Sequence, residues 1–139
     1  MRVPHFLRLA QIDEQRFIMG CRNGIVHLTW GRITTRFTDE EFRRLVGLLE
    51  RAADASPPTS LRDGNLWVTQ QFENDWEVRM GALALLLSPA EFQELAQAAQ
   101  QALERLAEIL EAGVWDREEP EDRPFSLFEQ SGRIPFSRN

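Results

Sequence analysis

The stretches GRITTRFTDEEFRRLVGLL (Gly31–Leu49) and GALALLLSPAEFQELAQAA (Gly81–Ala99) start fifty residues apart and keep step without a gap. Each opens on a glycine, alternates through a short apolar strand and enters a helix through the same device. Thr38 is followed three residues later by Glu41, and Ser88 by Glu91, with Pro89 at the first helical position. These are capping boxes, in which a hydroxyl and a carboxylate each satisfy a backbone N–H at the helix start. Beyond the first box, Phe42, Leu45, Val46, Leu49 and Ala52 recur at helical spacing and mark one buried stripe.

Upstream, Asn23-Gly24 and Gly31-Arg32 are hairpin turn signals, because both turns need positive φ where glycine stands. A two-residue loop at Asn23-Gly24 sets Cys21 opposite Val26, Met19 opposite Leu28 and Phe17 opposite Trp30. All six then share one oily face. The Gly31-Arg32 turn extends that face, pairing Trp30 with Ile33, Leu28 with Thr35 and Val26 with Phe37, and it sets His27 opposite Arg36. In the second copy Trp76, Val78 and Met80 point inward and Leu83, Leu85 and Leu87 return on the same side. For LWVTQQF, either Trp67 or Val68 can be the inward residue. DASPPTSLRDGN (54–65) reads as a linker, broken by Pro57-Pro58 and turned at Asp63-Gly64. A strand from about His5 to Gln11 joins a sheet edge.

The expected class is α+β: a duplicated β-β-β-α unit with pseudo-twofold symmetry, antiparallel sheet packed on two helices, and an extended C-terminal tail. Residues 1–114 read as one domain of two repeats, about 16–53 and 66–112, and residues 115–139 as a tail. A chain of 139 residues suits that single domain. The tail is acidic and proline-broken, then carries Phe125, Phe128 and Phe136 among its apolar residues. Such a segment is expected to dock, on its own domain, on a partner subunit or on a different protein.

Composition narrows function. A net charge of −6 argues against general nucleic-acid or anionic-membrane binding. No apolar run reaches the roughly 18 residues needed to span a bilayer. One cysteine, Cys21, cannot form an internal disulfide and fits a reducing compartment, so a cytoplasmic protein is the expectation, and the general style of the sequence reads as bacterial. There is no lysine and no tyrosine; all 16 basic residues are arginine. That excludes a Walker-type phosphate loop, Schiff-base chemistry and any lysine or tyrosine acid or base. No zinc spacing, nucleophile elbow or ordered carboxylate pattern stands out, so no catalytic residue, metal or cofactor is assigned.

The two-residue loop puts Cys21 and His27 on opposite faces, so they cannot share a proton or a metal, and Cys21 reads as a core residue. His27, Arg36, Thr29 and Thr34 form a weak candidate face for a carboxylate or phosphate. In the second copy the outer positions are Ala82, Ala84 and Leu86, an apolar surface that needs a cover. In the second helix Phe92, Ala96, Ala99, Leu103, Leu106 and Leu110 alternate steps of four and three, as a helix–helix seam does. A non-enzymatic homodimeric interaction or scaffold module is the first reading, with Ala84, Leu86, Leu103, Leu106, Leu110 and the tail phenylalanines as interface. A small-molecule or anion binder, using an inter-repeat pocket or the His27/Arg36 face, is the second. An enzyme with a cleft of carboxylates, arginine or His27 is the third.

Overall fold

The computed structural model describes residues 5–70 and 75–115. Its elements run β1 (Phe6–Asp13), β2 (Arg16–Cys21), β3 (Val26–Trp30), β4 (Ile33–Phe37), α1 (Asp39–Asp54), β5 (Thr59–Asp63), β6 (Leu66–Gln70), β7 (Trp76–Met80), β8 (Leu83–Leu87) and α2 (Pro89–Ala112). The strands make two antiparallel sheets, ordered β1-β2-β3-β4 and β5-β6-β7-β8, and a helix follows each. The class is α+β, and the duplicated unit has four strands rather than three. The N-terminal strand and β5 are the extra members, one at the edge of each sheet.

β5 occupies what the sequence suggests is linker. Pro57-Pro58 ends the helical stretch, but the five residues after it carry free N–H groups and pair with β6, Thr59 opposite Gln70 and Asp63 opposite Leu66. The copies share finer detail as well. The Gly31 N–H donates to the Gln15 carbonyl at 2.8 Å, and fifty residues on the Gly81 N–H donates to the Asn65 carbonyl at 2.9 Å. Both glycines adopt the left-handed conformation their turns require, with φ 68° and 66°. Both capping boxes are closed. Glu41 N–H donates to Thr38 Oγ1 and Thr38 N–H to Glu41 Oε1, as Glu91 N–H does to Ser88 Oγ and Ser88 N–H to Glu91 Oε1.

The β2–β3 pairing departs from the expected register by one residue. Ile18 lies opposite Leu28, Met19 opposite His27 and Phe17 opposite Thr29. The loop is longer than two residues: Gly24 N–H donates to the Cys21 carbonyl and Cys21 N–H to the Ile25 carbonyl, with Gly24 at φ 91°. That is a turn followed by a left-handed glycine, the bulged hairpin, and the extra residue turns every β2 side chain over. Ile18, Val26, Leu28 and Phe37 are consequently buried, while Phe17 and Met19 lie on the opposite side. Gly20 falls on the buried side because Leu9 crosses it. A Cβ there would sit 3.1 Å from Leu9 Cδ1. The β7–β8 register is the expected one, Val78 opposite Leu85 and Trp76 opposite Leu87, and Val68 rather than Trp67 points inward.

Phe6–Ala107 cluster as one compact unit. Within it Phe42, Leu45, Leu48 and Leu49 of α1 and Phe92, Leu95, Ala99 and Ala102 of α2 are fully buried. Phe92 stacks on Trp76 with centroids 3.8 Å apart, and Phe42 packs at a tilt against Phe37 at 6.0 Å. Each helix also reaches the other repeat. α1 packs against β5 and β6. From α2, Glu94 accepts from Arg16 of β2 at 2.9 Å, and Arg105 donates to the Arg8 carbonyl of β1 at 3.3 Å. Of the described residues, His5 and those from Glu108 to Trp115 cluster separately. In the described part of that unit the helix ends at Gly113, φ 65°, whose N–H donates to the Leu110 carbonyl. No helix among the described residues is long and apolar enough to cross a membrane.

Candidate functional site

With the cores turned inward, chemistry is left to the outer faces of the two sheets. On the first sheet, strand register builds a row across all four strands: Arg8, Met19, His27 and Arg36. Beside it runs a second row of Phe17, Thr29 and Thr34. His27, Arg36, Thr29 and Thr34 do fall on one face, and the two threonine hydroxyls hydrogen-bond each other at 3.0 Å. The slipped register adds neighbours that the sequence reading lacked. Phe6 meets the His27 ring edge-on at 5.5 Å, and Arg8 lies 4.1 Å over the Phe17 ring. This face therefore mixes cations with aromatic surface.

The slip also moves Cys21. It has the same strand parity as Met19, so the sheet does not separate it from the side that carries His27. It is nonetheless buried, and burial pushes its thiol pKa up against the pull of the Asn23 and Arg22 N–H groups. A buried thiol held in its neutral form is a poor nucleophile. Among the described residues no cluster of histidine, cysteine and carboxylates can hold a metal.

The outer face of the second sheet is not the apolar surface expected from Ala82, Ala84 and Leu86. Its two rows are Ser60–Thr69–Glu77–Leu86 and Arg62–Trp67–Arg79–Ala84. Only β8, the edge strand, contributes apolar side chains apart from Trp67. Leu86 is 76% exposed. On the same face, away from β8, a hollow of about 520 Å³ is lined by Ser60, Trp67, Thr69, Gln70, Glu77 and Arg79 among others. Trp67 donates its indole N–H to Ser60 Oγ at 3.2 Å, Arg62 lies 5.1 Å over its ring, and Arg79 pairs with Glu77 at 2.6 Å. Trp67 apart, none of these stands out from sequence, because reading 54–65 as linker leaves Ser60 without a strand. The alternation Leu66-Val68-Gln70, matched to Arg16-Ile18-Gly20 by the fifty-residue offset, was the available signal.

Among the described residues Thr35, Arg36, Glu41, Asn65, Leu66 and Met80 help line a small pocket between the repeats of about 60 Å³, room for about two water molecules. The expected helix seam is reduced too. Phe92, Ala99 and Leu106 face the interior, Leu106 being 2% exposed, and of the seam residues only Leu110 is exposed, with Leu103 half-buried. Burial follows the line Phe92, Leu95, Ala99, Ala102, Leu106 and Ile109 instead. Phe125, Phe128 and Phe136 lie outside the described residues. No family model matches this chain, and comparison with curated proteins and with solved structures likewise returns no match.

Proposed function

We propose that the chain is a homodimeric interaction module, its repeats related by a pseudo-twofold axis, that pairs through the edge strand β8. The exposure of Leu86 on an unpaired edge carries this reading. β8 is Leu-Ala-Leu-Leu-Leu, and in the described sheet it pairs on one side alone, with β7. Edge strands in monomers are blunted by charge, proline or a bulge, and β8 has none of these. Antiparallel pairing of two β8 strands about a twofold at Leu85 is self-complementary. Leu83 then faces the partner's Leu87, and Ala84 faces the partner's Leu86, a small side chain against a large one on the outer face. The two sheets of four become one of eight. Sedimentation velocity at tens of micromolar is expected to give a dimer, and Leu86→Arg a folded monomer. A monomeric wild type, or a variant that still dimerises, overturns the reading.

A second reading, anion binding at the first sheet, is supported by the row that sets Arg8, His27 and Arg36 on one face. Two guanidiniums and an imidazole suit a phosphate or carboxylate. Titration with inorganic phosphate, followed by NMR of the His27 ring, is expected to give a saturable shift that Arg36→Gln removes. A shift unchanged in that variant would discard the site.

A further inference from the structure

We infer that the hollow on the outer face of the second sheet is a carbohydrate-binding site, which takes a neutral sugar ring against Trp67. The inference is independent of the β8 dimer. Three observations carry it. The first is shape: about 520 Å³ falls within the range of small-molecule sites. The second is the wall. Trp67 is 39% exposed, yet its polar N–H is already spent on Ser60 Oγ, and Arg62 covers the ring at 5.1 Å without lining the hollow. What remains for a ligand is apolar aromatic surface, held at a fixed angle by the hydrogen bond. The C–H face of a sugar ring is flat and apolar enough to lie against it.

The third observation is the polar complement. Thr69 offers a hydroxyl, Glu77 a carboxylate and Arg79 a guanidinium, so the wall holds both donors and acceptors. Sugar hydroxyls are themselves donor and acceptor at once and can satisfy such a mixed set. The charges point the same way. Arg79 and Glu77 hold each other at 2.6 Å, which neutralises and orients both. A charged ligand must compete with that pair, whereas a neutral polyol hydrogen-bonds to its outer lone pairs and N–H groups and leaves it intact. Cleavage is not part of the inference. Glycoside hydrolysis uses two carboxylates flanking the bond, and among the described lining residues Glu77 is the single acid.

The full-length protein is the material for the test. Fluorescently labelled chain is applied to a glycan array, and the best hit is titrated by calorimetry, with benzoate and choline as charged comparators. Saturable binding of a neutral oligosaccharide is expected, with no binding of benzoate or choline at similar concentration. Trp67→Ala should weaken it about tenfold or more, Glu77→Gln should weaken it less, and Arg36→Gln on the other sheet should leave it unchanged. Circular dichroism reports whether Trp67→Ala still folds, and Glu77→Gln keeps the test decisive if it does not. An array with no neutral glycan bound, binding that survives both variants, or preference for benzoate overturns the inference.

Discussion

β4 and β8 hold the same place in their repeats, at the open edge of a four-stranded sheet and just before a capped helix. Inside they agree. Phe37 and Leu87 are buried at corresponding positions, as Phe42 and Phe92 are in the helices that follow. Outside they part. Where β4 presents Thr34 and Arg36, β8 presents Ala84 and Leu86. Duplication fixed the inner face because both copies must fill a core, and left the outer face free to acquire separate roles. A charged edge resists pairing in water, and an apolar one is open to a partner strand.

The sharpest test of the shared interior is a pair of truncations. Phe42→Ala and Phe92→Ala are each expected to cost about 3–5 kcal/mol in chemical denaturation, because both side chains are fully buried. The stack on Trp76 should place Phe92 at the upper end. A large difference between the two would mean that the copies no longer share a core plan.

Exchanging the edges tests the divergence. Ala84→Thr with Leu86→Arg gives β8 the outer face of β4, and is expected to weaken self-association about a hundredfold or more, roughly 2.7 kcal/mol, by sedimentation equilibrium. The reverse pair, Thr34→Ala with Arg36→Leu, gives each chain two sticky edges. It should yield species larger than a dimer, because two different edges on one chain no longer close on themselves. Unchanged association in both would remove the edge from the account.

Removing either cap should have a smaller and equal effect. Thr38→Ala and Ser88→Ala each lose one hydrogen bond at a helix start, about 1 kcal/mol. The smallest effect belongs to a contact present in one copy only. Arg16 has Leu66 as its counterpart, so the bond from Arg16 to Asp13 at 2.8 Å is confined to the first repeat. That bond, with the Gln15 N–H, holds the Asp13 carboxyl below its usual range. A lowered folded-state pKa stabilises above the unfolded value and is lost as pH falls through the folded one. Wild type should therefore lose slightly more stability than Asp13→Asn below about pH 4. Identical acid profiles would show that the exposed pair contributes nothing measurable.

Legibility in the sequence follows the same division. The second copy's β7–β8 register could be counted because Gly81 leaves a two-residue turn little choice, and the boxes at Thr38 and Ser88 are local chemistry. Asn23-Gly24 failed because the same dipeptide serves a two-residue loop and a bulged one, and the choice depends on Leu9 packing across Gly20, a contact distant in sequence. β5 was hidden by the prolines that precede it. The helix seam misled because a period of three and four fits two stripes a residue apart, and the sheets decide which is covered. His27, Arg36, Thr29 and Thr34 could be grouped from one turn. The Trp67 hollow could not, since it needs β5, β6 and β7 aligned together.

The reach of each helix into the opposite repeat bears on how the chain can come apart. β5 and β6, the strands that α1 chiefly covers, are made from residues after the prolines, and Arg16 near the start waits for Glu94 near the end. Neither half owns a finished interior. Phe6–Ala107 is thus a single cooperative folding unit, which melts in one step, and a nascent chain gains no autonomous first domain while the second half is still being synthesised.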